Sequence, residues 1–121
     1  MSKKKKERGL EFCDICGLCK ANCPVFKVTG NETEGPRGRS IMSKNDIKDQ
    51  RFYMCSLCGA CKVECPTSIN TVEEFIKFRE KMVKAGIETK VNKKMIENIK
   101  EHGNPFGKLK KGKLPKELFC C

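Results

Sequence analysis

Eight of the ten cysteines in this chain of 121 residues fall into two copies of one pattern. Cys13, Cys16, Cys19 and Cys23 are separated by two, two and three residues and followed by Pro24. Cys55, Cys58, Cys61 and Cys65 repeat the spacing forty-two positions later and are followed by Pro66. Thiols two residues apart along a loop can turn three sulfurs toward one centre, so a short segment caps three corners of an iron–sulfur cube and the fourth corner needs a ligand from elsewhere. In this motif class the cysteine before proline reaches across to the other cluster. That predicts one [4Fe-4S] cluster on Cys13, Cys16, Cys19 and Cys65, and a second on Cys55, Cys58, Cys61 and Cys23, so that neither half folds alone. Pro24 and Pro66 disfavour the helical region at the residues before them and turn Cys23 and Cys65 away from their own loops. Gly17 and Gly59 follow the second cysteine of each triplet, where a missing side chain lets the backbone pass close to the cube. Lys20 and Lys62 complete the match, either as cations beside an anionic cluster or as solvated surface lysines.

Other chemistries for these thiols fit less well. Structural zinc takes four ligands, usually as two separated pairs, and a triplet leaves one thiolate over. A disulfide framework needs an oxidising compartment, and no apolar signal segment follows the Met-Ser-Lys-Lys start, so the expected location is cytoplasmic. No stretch approaches the roughly 20 apolar residues of a membrane span, which excludes direct membrane insertion from the expectations.

A chain of this length fits one domain, yet Trp is absent and aromatics are sparse, so the clusters must serve as part of the core. Cluster binding and folding should then be coupled, with a largely unfolded cluster-free protein. The formal charge of +11 treats cysteines as neutral; with about −2 contributed by each cluster site the loaded protein is nearer to about +7. The excess lies in Lys3 to Lys6 with Arg8, and in Lys108, Lys110, Lys111, Lys113 and Lys116. The chain therefore reads as a basic flexible tail over 1–11, a dicluster domain over 12–107 and a second basic tail over 108–121. Solvated tails come first as a reading, then docking on an acidic partner. Nucleic acid is not expected, because no aromatics alternate with the lysines and arginine is scarce.

The elements that hold the motifs read as helical. Thr29 to Pro36 is a loop, Arg37 to Lys44 can begin a helix with Ile41 and Met42 inward, and Asn45, Asp46 and Asp49 suggest a further start. After the second motif, Thr71 and Glu74 suggest a capping box; Val72, Phe75, Ile76, Met82 and Val83 share a face, and Gly86 is a stop. Another helix is predicted over Lys90 to Glu101 with Val91, Met95, Ile96 and Ile99 inward, ended by Gly103 and Pro105. Met54, Met82 and Met95 read as core fillers. Strands are at most incidental, and the fold class is all-α.

The paired motifs, the Gly35-Pro36-Arg37-Gly38-Arg39 segment between them and the following helix with Glu and Phe resemble the alpha-helical ferredoxin domain. This domain occurs in two of the subunits of heterodisulfide reductases, in one of them as the amino-terminal part. It occurs also in the iron–sulfur subunits of glycolate oxidase and anaerobic glycerol-3-phosphate dehydrogenase. The likeness runs from about Phe12 to Gly107. It implies two cluster-binding loops related by a pseudo-twofold repeat, and an electron relay serving a partner oxidoreductase subunit, either a flavoprotein or a cysteine-rich catalytic subunit. The Gly103-Asn104-Pro105-Phe106-Gly107 stretch is similar to the connector that leads longer members into a cysteine-rich domain. Cys120 and Cys121 resemble adjacent cysteines of that domain, but the rest of its motif is missing. Arg37 and Arg39 read equally as docking residues, phosphate contacts or surface arginines of a turn. No catalytic residue is assigned, since neither a dinucleotide-binding turn nor a nucleophile with its base is present. The alternative function is a redox-sensing regulatory or assembly protein whose basic tails bind an acidic protein or RNA.

Overall fold

The computed structural model describes residues 8–115, and every structural statement below concerns those residues. They form two compact units, the first ending at Ile87 and the second beginning at Glu88. The all-α expectation is met. Among the described residues there are α-helices and short 3-10 segments, with no strand beyond an isolated parallel bridge between Arg8 and Ile69. None of these helices is long and apolar enough to cross a membrane. Lys3 to Lys6, Lys116, Cys120 and Cys121 lie outside the described residues.

The first unit holds α1 (Pro24–Thr29), α2 (Pro36–Lys44), α3 (Ala60–Val63) and α4 (Thr71–Lys84). Helices α1 and α2 both begin at proline, whose fixed φ suits a first helical turn and whose missing N–H would have had no partner there. Cys23 is the N-cap of α1 with extended backbone (φ −74°, ψ 117°), and the Phe26 N–H points at its Sγ. The cap of α4 is Asn70, whose side chain accepts from the Glu73 N–H, rather than Thr71 in a capping box. Asn is at least as good a cap as Thr, and the Thr71 hydroxyl is engaged instead with the Cys61 sulfur, 2.9 Å away.

Three phenylalanines centre the core. The Phe52 ring stands edge-on to Phe75 with centroids 5.4 Å apart, and its centroid lies 4.7 Å from that of Phe78; Leu10, Met42, Ile69 and Met82 pack around them. Each such ring contributes about 1.5–3 kcal/mol on burial. Helix α4 turns Thr71, Phe75, Phe78 and Met82 inward, while Ile76 and Val83, expected inside, are 42% and 45% exposed. Both stripes share Phe75 and Met82, and the one that adds the Phe78 ring removes more apolar surface from water. Met54 also departs from expectation. It ends the 3-10 segment Gln50–Met54 and is 48% exposed, whereas Met82 is buried. At the start of the described residues the Arg8 N–H donates to the Ser68 carbonyl, the Asn70 N–H donates to the Arg8 carbonyl, and Leu10 is buried.

The second unit contains α5 (Lys90–His102), one residue longer than expected. Thr89 caps it by accepting from the Asn92 N–H, and Gly103, in the left-handed conformation, ends it with its N–H on the Ile99 carbonyl. The 103–107 connector folds on two asparagines: Asn98 donates to the Pro105 carbonyl at 2.8 Å, and Asn104 donates to the Gly107 carbonyl at 3.0 Å. No residue of α5 is buried, and Val91, Ile96 and Ile99 are exposed where an inner face was expected. Phe106, Leu109 and Leu114 of the same unit are exposed too.

Candidate metal centre

The two cysteine loops share left-handed residues at matching positions. Ile15 and Leu57 both have φ 55°, and Gly17 and Gly59 have φ 83° and 82°, each pair forty-two positions apart. A left-handed conformation is ordinary for glycine but strained for a β-branched or bulky residue, and strain of this kind gathers where a site dictates the backbone. Exposure repeats as well: Cys16 and Cys58 are exposed, Cys13 and Cys55 half-buried. The loops end differently. Cys23 is buried and starts α1, whereas Cys65 is half-buried and leads into a turn with Ser68 at φ 58°.

The eight motif thiols ring two hollows. Cys13, Cys16, Cys19 and Cys65 line the first, with Ser40, Thr67, Thr71 and Arg37 beside them. Cys23, Cys55, Cys58 and Cys61 line the second, whose other walls include Val25, Pro36, Val72, Phe75 and Arg39. Four soft thiol donors about one hollow suit an iron–sulfur cluster. Among the described residues no three His, Cys, Asp or Glu side chains gather tightly enough to ligate a single ion. The hollows adjoin, because the 3-10 turn Leu18–Lys20 packs against α3 and brings Cys19 into the field of Cys61. Next to the proline-linked cysteines, Asn22 donates to the Glu64 carboxylate at 2.6 Å, a tie between equivalent positions of the two motifs.

Cations hold the entry to each loop. Lys44, the last residue of α2, donates its Nζ to the Cys13 carbonyl at 2.9 Å. Arg79 on α4 donates Nη2 to the Cys55 carbonyl, and its guanidinium lies over the Tyr53 ring. Burial first, and the nearby Arg39 charge in addition, lower the Arg79 pKa. Lys20, one of the two lysines considered as cluster cations, is paired with Glu32 and lies over the Phe26 ring. Lys44, Arg79 and Thr67 carry no spacing signal that points to the cysteines, and Thr71 was legible only as a helix cap. Arg39, expected at a surface, is buried.

The thiols are tuned unequally. Burial pushes the Cys19 thiol up to about 11, and the sulfurs of Cys61, Cys13 and Cys16 push the same way. Burial also raises Cys61, against the Thr71 hydroxyl that favours its thiolate; Cys55, Cys58 and Cys23 add to the rise. At Cys65 burial again works upward, but the Thr67 hydroxyl and the backbone N–H groups of Ile69, Thr67 and Ser68 together hold the thiol below its ordinary value. Gathering thiolates here is unfavourable without positive charge in the hollows. Iron supplies such charge, and thiolate is the form that ligates it.

Comparison with known proteins agrees with this donor chemistry. Over 39 residues, 32% of this chain, the sequence is 41% identical to the glycolate oxidase iron-sulfur subunit of Escherichia coli (strain K12), and the match spans 10% of that protein's length. The resemblance to such subunits expected from the motifs is met over that stretch. Residues 9–69, about half of the chain and all eight motif cysteines, match the family described as 4Fe-4S dicluster domain. The chain belongs to that family of iron–sulfur domains.

Proposed function

We propose that this protein is an electron-relay subunit with two [4Fe-4S] clusters, one on Cys13, Cys16, Cys19 and Cys65 and the other on Cys23, Cys55, Cys58 and Cys61, working with a partner oxidoreductase subunit. The observation that carries the reading is the division of eight thiols between two adjoining hollows, each combining three cysteines of one motif with the proline-linked cysteine of the other. A bound cluster supplies one-electron chemistry without proton transfer or bond-making on a substrate. The chain's own residues do the rest. Arg79 and Lys44 fix the first cysteine of each loop, Thr67 and Thr71 hydrogen-bond Cys65 and Cys61, and the close approach of Cys19 to Cys61 sets the two sites side by side. Exposed Cys16 and Cys58 bring each site to the surface, where a partner's redox group can approach.

The partner is read as a flavoprotein or a cysteine-rich catalytic subunit. The likeness to a glycolate oxidase iron-sulfur subunit supports an assembly of this kind. Anaerobic purification with partners left attached, followed by iron and sulfide assay and electron paramagnetic resonance, tests both levels. The expected result is about eight irons per chain and two magnetically interacting signals on reduction. Fewer than half that iron together with stoichiometric zinc would end the proposal.

A further inference from the structure

We propose that Arg39 sets the reduction potential of the cluster held by Cys23, Cys55, Cys58 and Cys61, donating Nε–H and Nη2–H to sulfur atoms of that cluster; this rests on the two-cluster reading above. Arg39 is 1% exposed and lines the hollow with those four cysteines. Its Nε and Nη2 are buried without a hydrogen-bond partner in the protein. The ion pairs among the described residues leave it without a carboxylate. A guanidinium keeps its charge in proteins, and a buried charge lacking both counter-ion and acceptors is strongly unfavourable. Arg79 makes matters worse, since each of the two cations lies in the other's field. The fold therefore calls for an anion with acceptor atoms in this hollow. A four-thiolate cubane carries about −2 when oxidised and about −3 after taking up one electron. A fixed cation with two free donors favours the more negative state and so raises the potential.

Helix geometry explains why the effect falls on one cluster. Residues two apart on a helix point to nearly opposite sides, and Arg37 lines the other hollow while Arg39 lines this one. Arg37 is only half-buried, where water and salt screen its charge. Gly38 between them keeps the first turn of α2 against the Glu32 carbonyl and so fixes both directions.

The test is a potentiometric titration, followed by electron paramagnetic resonance, of the full cluster-loaded chain carrying Arg39→Met or Arg39→Lys, with iron and sulfide counted on the same samples. Arg39→Met is expected to shift the reduction equilibrium of one cluster toward the oxidised form by tenfold or more, about 59 mV for one electron, and to leave the other unchanged. Arg39→Lys should recover part of the shift, since it keeps the charge but not the planar fork. The signal that moves should be the one Cys58→Ala abolishes. Unchanged potentials, or equal shifts in both clusters, with about eight irons retained, would overturn the proposal. If Arg39→Met does not load, pulsed resonance on the unaltered chain grown with 15N-arginine decides: a 15N coupling in that one signal supports the assignment, and its absence refutes it. Fewer than half the irons in the unaltered chain would instead remove the two-cluster reading, a separate and distinguishable failure.

Discussion

Gly38 stands where the first turn of α2 meets the 3-10 turn Glu32–Glu34, and a methyl group there would lie 2.0 Å from the Glu32 carbonyl oxygen. Helix propensity alone favours alanine over glycine by about 1 kcal/mol, whereas forcing a methyl into packed backbone costs about 1–3 kcal/mol. The contact decides, because a carbonyl in a hydrogen-bonded turn cannot retreat by more than an ångström without lifting α2 away. Gly38→Ala is therefore expected to destabilise the loaded protein by about 2 kcal/mol, read as an earlier denaturant or thermal transition. A variant as stable as the parent would show that α2 does not pack on this turn. Little of this was legible in the sequence. The Gly35-Pro36-Arg37-Gly38-Arg39 segment announces a turn and two charges, but burial of one charge depends on which hollow it meets. Likewise the left-handed Ile15 and Leu57 carry no glycine or asparagine to advertise their φ. Their only trace is that both are apolar and occupy equivalent positions of the repeat.

At the scale of elements, the interlock of the motifs depends on the 3-10 turn Leu18–Lys20 meeting α3, on the Asn22–Glu64 hydrogen bond, and on two different ways of leaving the loops. If Cys23 serves the second hollow, alanine at Cys23 and at Cys58 should abolish the same resonance signal, and alanine at Cys65 and at Cys16 should abolish the other. Paired losses within one motif, Cys23 with Cys16, would show that each triplet closes on its own fourth cysteine. The cysteine spacing made these loops readable; Pro36 made the start of α2 readable, and capping residues with glycine stops made the extents of α4 and α5 readable to within a residue or two. Their faces were harder. In α4 the stripes through Ile76 and through Phe78 both fit a helical period, and the choice between them is made by the aromatic cluster of Phe52 and Phe75 and by the sulfur that draws Thr71 inward. In α5 periodicity predicts an apolar face but says nothing about whether a second layer exists to cover it, and no residue of that helix is buried.

As a whole molecule, this electron-carrying iron–sulfur protein has a small buried apolar core among its described residues. Among the described residues its buried apolar side chains are Leu10, Pro36, Met42, Phe52, Ile69, Phe75, Phe78 and Met82, together with Cys23 and Cys61; Cys13, Cys19, Cys55 and Cys65 pack against this group and line the hollows. Remove the iron, and burial opposes ionisation of the Cys19 and Cys61 thiols, while hydrogen bonds hold Cys65 below its ordinary value. The Cys19 thiol, raised from 9.0 to about 11, shows the sign of the effect. Between those values the compact chain retains a proton that the unfolded chain has released, so compactness is favoured below pH 9 and progressively penalised as pH rises toward 11. Where Cys19 ligates iron, as proposed, its thiolate carries no proton and the dependence vanishes. The expectation is that chelation with oxidation of the clusters abolishes most of the far-ultraviolet helical signal at neutral pH, and that the freed thiols then alkylate with the pH profile of ordinary cysteine. Native-like helicity after cluster removal, with Cys19 alkylating only at pH values well above those of Cys65, would show that the apolar core and capped helices hold the chain together unaided.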